Sequence, residues 1–269
     1  SIAGAANNQG VNLLLNSFFG PVVNTAYSVS NQLGNTLQAF SSNLFAAFRP
    51  QMIKQYAAQQ LSVVTNLLYK STKYMAILLL IVMAPIFIEI HFVLSTWLGD
   101  VADYMVEFSR LTMIYYFLLQ LSNPLTVVAQ AANKVKNYHL SVDGFVLCTL
   151  IVAYLFLREG FPAQSVYWAM IGIMFLAHFI RFYIVKGILP ISFFEYLKKS
   201  IIPVLGILIG TVVPLLLPQF FLGEGWLRFL ISVVISTAVI CVICYVVALD
   251  RDEKYLIGSF VRKFLKRHS

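Results

Sequence analysis

The first 48 residues contain no Asp, Glu, Lys or Arg, yet eleven of them are Asn or Gln. One helical membrane crossing takes about 20 residues, so an uncharged stretch of this length is enough for two. The amides restrict how such helices can lie. Around the turn Gly20-Pro21, Asn8, Asn12 and Asn16 come before, and Asn24, Ser28, Asn31, Asn35, Gln38 and Ser42 follow at helical spacing. At about 100° per residue the second set falls within an arc of about 80°. An amide in hydrocarbon is costly unless hydrogen-bonded, so this stripe faces either a water-filled cavity or neighbouring helices that bond to it. One or two amides would suffice for interhelical bonding, and a continuous stripe fits a cavity wall better.

With 59% hydrophobic and only 11% charged residues, against about 25% charged in soluble domains, the chain reads as an all-α integral membrane protein. Charge-poor runs predict eight transmembrane helices, at about 2–19, 24–48, 73–98, 108–132, 138–157, 161–185, 201–222 and 227–249. Counted along these spans, sixteen of the nineteen Lys and Arg fall on one side, and only Arg110, Arg158 and Arg228 on the other. The positive-inside rule makes the basic side cytoplasmic and places both ends of the chain there. A net charge of +8 therefore reports orientation in a membrane and not a nucleic-acid partner. Trp97 and Trp226 sit at the acidic, outward ends of their spans, where amphipathic rings suit the interface. The chain begins without Met inside an apolar segment, which reads as the C-terminal portion of a longer transporter.

Residues 51–70 place Met52, Ile53, Tyr56, Leu61, Val64, Leu67 and Leu68 opposite Lys54, Gln55, Gln59, Ser62 and Thr65. That pattern predicts an amphipathic helix on the cytoplasmic surface. Ser192 with Glu195 predicts a second short one through a capping box. In the tail Leu256, Ile257, Phe260, Val261, Phe264 and Leu265 oppose Arg262, Lys263, Lys266 and Arg267. Membrane lipids with anionic headgroups are one partner for such a tail, and a merely solvated tail is the other reading. Cys241 and Cys244 lie inside the last span with no second pair, and the four histidines show no metal-ligand spacing. With no phosphate loop or paired carboxylates either, the sequence carries no enzyme or cofactor signal.

The run NNQGVNLLLNSFFGPVVNTAYSVSNQL, followed by SSNLFAAFRPQMIKQYA, resembles the seventh and eighth helices of polysaccharide-type flippases. These are the O-antigen and capsule repeat-unit exporters of the multidrug, oligosaccharidyl-lipid and polysaccharide superfamily. The resemblance covers about the first 60 residues and rests elsewhere on span count, loop placement and the proline in the third span. It implies a MATE-like C-terminal six-helix lobe over residues 1–186, an appended helix pair over 187–269, and an N-terminal lobe outside this chain. It also implies a substrate, an undecaprenyl-diphosphate-linked oligosaccharide moved by alternating access across the bacterial cytoplasmic (inner) membrane.

Sugar hydroxyls both donate and accept, which suits a wall of amides and phenols. The expected cavity lining is Asn8, Asn12, Asn16, Asn24, Tyr27, Asn31, Asn35 and Gln38. Gln120 and Asn123, with Thr126 and Gln130, would extend it along the fourth span. Arg49 and Arg181 are the candidates for the diphosphate, because a guanidinium binds phosphate oxygens bidentately; for Arg49 an ordinary anchor role is the alternative. Glu89 is either a carboxylate that couples transport to H⁺ or Na⁺ or a hydrated group beside His91. Pro85 and Pro124 are bending points, as hinges or static kinks. Two rival classes are a cation-coupled multidrug antiporter, with Glu89 and Asp143 as its intramembrane acids, and a membrane scaffold that transports nothing.

Overall fold

A computed structural model of the chain describes residues 2–249 and 253–255, and among these it is helical without a strand. The helices are α1 (Ile2–Phe19), α2 (Pro21–Phe45), α3 (Arg49–Ala57), α4 (Leu61–Ile88), α5 (Ile90–Leu98), α6 (Met105–Leu121), α7 (Asn123–Ala131), α8 (Val135–Arg158), α9 (Ser165–Lys186), α10 (Phe193–Tyr196), α11 (Ile202–Phe221) and α12 (Trp226–Ile243). Two π-turns, Leu197–Ile201 and Cys244–Ala248, precede α11 and follow α12.

Among the described residues, six segments are long and apolar enough to cross a membrane: α4, α6 with α7, α8, α9, α10 through α11, and α12 with its π-turn. This is the make-up of a multi-pass membrane protein. The eight expected spans are thus reduced by the first two. α1 and α2 are continuous helices, about 27 and 37 Å long at 1.5 Å per residue, but their amides lower the hydropathy that an absence of charge suggested. The interfacial helix expected over 51–70 is instead two elements. α3 stops at Ala57, Gln59 takes a left-handed conformation (φ 58°), and the residues from Leu61 on begin α4. The second interfacial helix is also absorbed: Ser192 occupies the N-cap of α10 without a side-chain cap bond, and α10 runs through the π-turn into α11. The amphipathic tail pattern from Leu256 onward lies outside the described residues.

α1, α2, α6, α8 and α9 share one apolar core, built around Val11, Leu15, Tyr27, Phe108, Tyr167 and Met170. α4 stands beside this group and carries α11 and α12 on its other flank through Ala76, Ile77, Leu80, Val204, Ile207 and Ile240. Close approach uses small residues, as in other membrane bundles. A Cβ on Gly34 would sit 2.2 Å from Tyr116 Cε2, and one on Gly210 2.5 Å from Ile243 Cδ1. Tyr116 can therefore lie flat across α2 only because position 34 is empty. Pro124 does coincide with a bend, at Ser122 between α6 and α7, because proline has no N–H for the carbonyl one turn back. α4 continues through Pro85 and is interrupted four residues later, at Glu89.

Gly34→Ala is expected to destabilise the protein by about 1–3 kcal/mol through overpacking, and Gly172→Ala, with open space around it, to do so by much less. Thermal unfolding of the detergent-solubilised protein distinguishes the two. Equal loss in both variants would mean that Tyr116 relaxes away from α2 without cost.

Candidate functional site

The polar face of the α1–α2 hairpin is the feature that separates this bundle from an ordinary apolar one. α2 buries Val23, Ala26, Tyr27, Ser30, Gly34, Leu37, Ser41 and Phe45 against its neighbours. The amide stripe lies on the shoulder of that face: Asn24 and Asn31 are half-buried, while Ser28, Asn35, Gln38 and Ser42 are exposed. Thr25, Gln32, Thr36 and Asn43, beyond the stripe, are exposed as well, so the open side of α2 is polar over much of its width. On α1, Asn8 and Asn12 are half-buried and Asn16 is exposed. The exposed residues of α8, α9, α11 and α12 are of the opposite kind, among them Ile151, Phe175, Ile209, Val213, Leu230 and Val234.

Tyr27 departs from the expected cavity lining. It is fully buried, packed 6.0 Å (ring centroids) from Tyr167, and its hydroxyl donates across the hairpin to the Asn8 carbonyl at 3.3 Å. This bond ties the amide shoulders of α1 and α2 to one seam. Tyr116 of α6 reaches the same seam and donates to Asn35 Oδ1 at 3.4 Å. Beneath it, the Tyr167 hydroxyl bonds Ser30 Oγ at 2.5 Å and accepts from Thr112 Oγ1 at 3.0 Å, while Ser30 donates to the Tyr27 carbonyl at 2.8 Å. The amide oxygens of Asn7 and Asn24 are shielded and accept no hydrogen bond from the described residues. Asn7 and the Ser30–Tyr167–Thr112 chain were not legible as site residues, because a single Ser or Tyr among apolar residues carries no spacing signal.

Gln120 and Asn123 do not extend the wall. Gln120 is buried and accepts from the Asn123 side chain across the bend, Thr126 bonds Tyr138 at 2.6 Å, and Gln130 is held by Arg49. Asn123, Thr126 and Gln130 are half-buried, and each is already engaged by another side chain. Arg49 is exposed, with Nη2 3.1 Å from Gln130 Oε1. Arg181 is buried and donates to Ser122 Oγ at 3.3 Å and Met174 Sδ at 3.2 Å. Next to it His178 bonds Ser122 Oγ (2.9 Å) and the Tyr196 hydroxyl (3.2 Å), so Arg181 belongs to a packed polar cluster at the α6–α7 bend.

Glu89 is the clearest revision. It is 1% exposed, which excludes the hydrated reading, and its Oε2 accepts from Arg228 Nη2 at 2.6 Å and Nε at 2.9 Å. Ser232 donates to Oε1 at 3.2 Å. His91, expected beside Glu89, pairs instead with Glu224 at 2.9 Å. No metal-binding group of His, Cys, Asp and Glu occurs among the described residues. A cavity lined by Ser141, Phe179 and Tyr183, and another lined by Lys70, Lys73, Lys198 and Lys199, involve none of the α1–α2 amides.

Comparison with protein-family models, curated proteins and solved structures finds no match. The functional reading therefore rests on the residues themselves.

Removing one partner of a buried ion pair leaves the other charge uncompensated, at about 3–5 kcal/mol, whereas an apolar pair of similar volume is often neutral. Arg228→Leu and Glu89→Leu should each lower the unfolding midpoint, and the double variant should recover most of the loss. Additive losses in the double variant would show that the two side chains do not act as a pair.

Proposed function

We propose that this chain forms one wall of a transport path for an amphiphilic, hydroxyl-rich substrate, and that it is part of a polysaccharide-type flippase. The observation that carries this reading is the contrast between the two exposed surfaces. Apolar side chains on α8, α9, α11 and α12 suit lipid, whereas the open side of α2 offers Thr25, Gln32, Asn35, Thr36 and Gln38 over several helical turns. Amides at bilayer depth belong on water-filled space or on another protein surface. Being uncharged, they suit sugar hydroxyls, to which they can both donate and accept.

The substrate of this reading is a lipid-diphosphate-linked oligosaccharide moved across a bacterial cytoplasmic membrane, with both ends of the chain on the cytoplasmic side. A second helical lobe, of the kind the resemblance implies, would close the path over α1 and α2. Arg49, exposed at the basic end of α2, is the better placed of the two diphosphate candidates. The rival cation antiporter is weakened, since Glu89 is already neutralised by Arg228 and Asp143 is engaged by His139 at 3.1 Å.

Single cysteines at Gln32 and Asn35, in a protein with Cys148, Cys241 and Cys244 replaced by Ser, are expected to react with a membrane-impermeant maleimide in intact membranes. Cysteines at Val213 and Val234 are expected to stay unlabelled. Protection of Gln32 and Asn35 in every transport condition would remove the path and leave the amides as contacts between helices. Asn31→Leu with Asn35→Leu should reduce surface-polysaccharide assembly several-fold at normal protein levels.

A further inference from the structure

A second polar site, independent of the amide face, lies at the basic end of the bundle. There α4, the π-turn ahead of α11 and the end of the α12 segment enclose a cavity of about 100 Å³. Lys70 and Lys73 reach it from α4, and Lys198 and Lys199 from the π-turn, with Tyr69 and Val247 completing the main lining. The π-turn matters for this convergence. It puts one extra residue into the helical turn, and both of its consecutive lysines reach the same cavity.

Four ammonium groups around so small a space repel one another unless an anion joins them. Glu253 does so in part: Oε1 lies 2.8 Å from Lys70 Nζ, and Oε2 3.5 Å from Lys73 Nζ. Lys199 lies 3.4 Å from Glu195, and Lys198 has no carboxylate within ion-pair distance among the described residues. Among the described residues, two carboxylates face four lysines, an excess of two positive charges. Lys73 is buried and fixed, donating to the Ala248 carbonyl at 2.5 Å where the second π-turn ends the helix. Beside the cavity, Ile202, Leu205, Val246 and Val247 are exposed, an apolar surface that runs toward the middle of the bundle.

We propose that this cavity binds the phosphate of an anionic phospholipid such as phosphatidylglycerol. Its acyl chains would lie on the apolar surface of α11 and α12, and Glu253 would occupy the phosphate position when lipid is absent. The volume suits a phosphate group and excludes an oligosaccharide. Basic pockets between membrane helices are a recurrent form of headgroup recognition. Glu253 marks the geometry, since its carboxylate shows where an anion contacts Lys70 and Lys73 together. Lipid and the segment that carries Glu253 therefore compete for one set of cations.

The test uses the full chain purified from membranes and placed in nanodiscs of phosphatidylglycerol or phosphatidylcholine, with native mass spectrometry to count retained lipid. Phosphatidylglycerol should be retained over phosphatidylcholine. Lys70→Gln with Lys198→Gln, two accessible side chains whose loss leaves the core intact, should weaken retention about 30-fold, at about fivefold per lysine. Glu253→Gln should strengthen it. Equal retention of the two lipids, or unchanged retention in the double lysine variant, overturns the proposal. Displacement of phosphatidylglycerol by low-millimolar inorganic phosphate would likewise overturn it and assign the cavity to a soluble phosphate.

Discussion

The charge pair between Glu89 and Arg228 sits where α4 gives way to α5, and the position of the last hairpin depends on it. A lone carboxylate or guanidinium at that depth would be costly. Each is tolerable because the other is within 2.6 Å, with Ser232 completing the acceptor set. Ala76, Ile77 and Leu80 of α4 then pack on Val204, Ile207 and Ile240. At the far end of the same contact Lys73 holds the Ala248 carbonyl. Apolar packing alone discriminates poorly between helix pairs in lipid, because tails are as apolar as leucine. Polar ties at both ends fix the depth and rotation of α12 against α4.

The aromatic hydroxyls play the corresponding role on the other flank. Tyr27, Tyr116 and Tyr167 are buried by their rings, and their hydroxyls bridge α1, α2, α6 and α9. The seam that results is lined by amides on its open side and by phenols below. Asn35 belongs to both sides of the seam, since it is exposed on α2 and its amide oxygen accepts from Tyr116.

Much of the architecture could be read from the chain, for reasons that differ by element. Six apolar spans were visible because hydrocarbon demands a long apolar run, although the one expected at 73–98 runs Leu61–Ile88 and stops at Glu89. The polarity of α1 and α2 was visible too, but reading charge alone overstated how apolar they are. The break after α3 was not legible: Gln59 takes a left-handed conformation usually reserved for glycine or asparagine, and nothing in AAQQL announces it. Glu89 stood out as an isolated charge, yet its partner lies 139 residues away and no local pattern connects them. The same applies to Tyr27, whose helical position between Asn24 and Asn31 suggested a wall residue. One step of about 100° around the helix separates the open side from the core, and only packing decides which side a phenol takes.

The docking of the first hairpin also has a consequence for how the protein is made. Asn35 and Ser30 of α2 take their cross-helix partners, Tyr116 and Tyr167, from residues made roughly 80 to 140 positions later. Those bonds can form only once α6 and α9 are present. The polar seam is therefore closed collectively, with later helices supplying the partners of an earlier one.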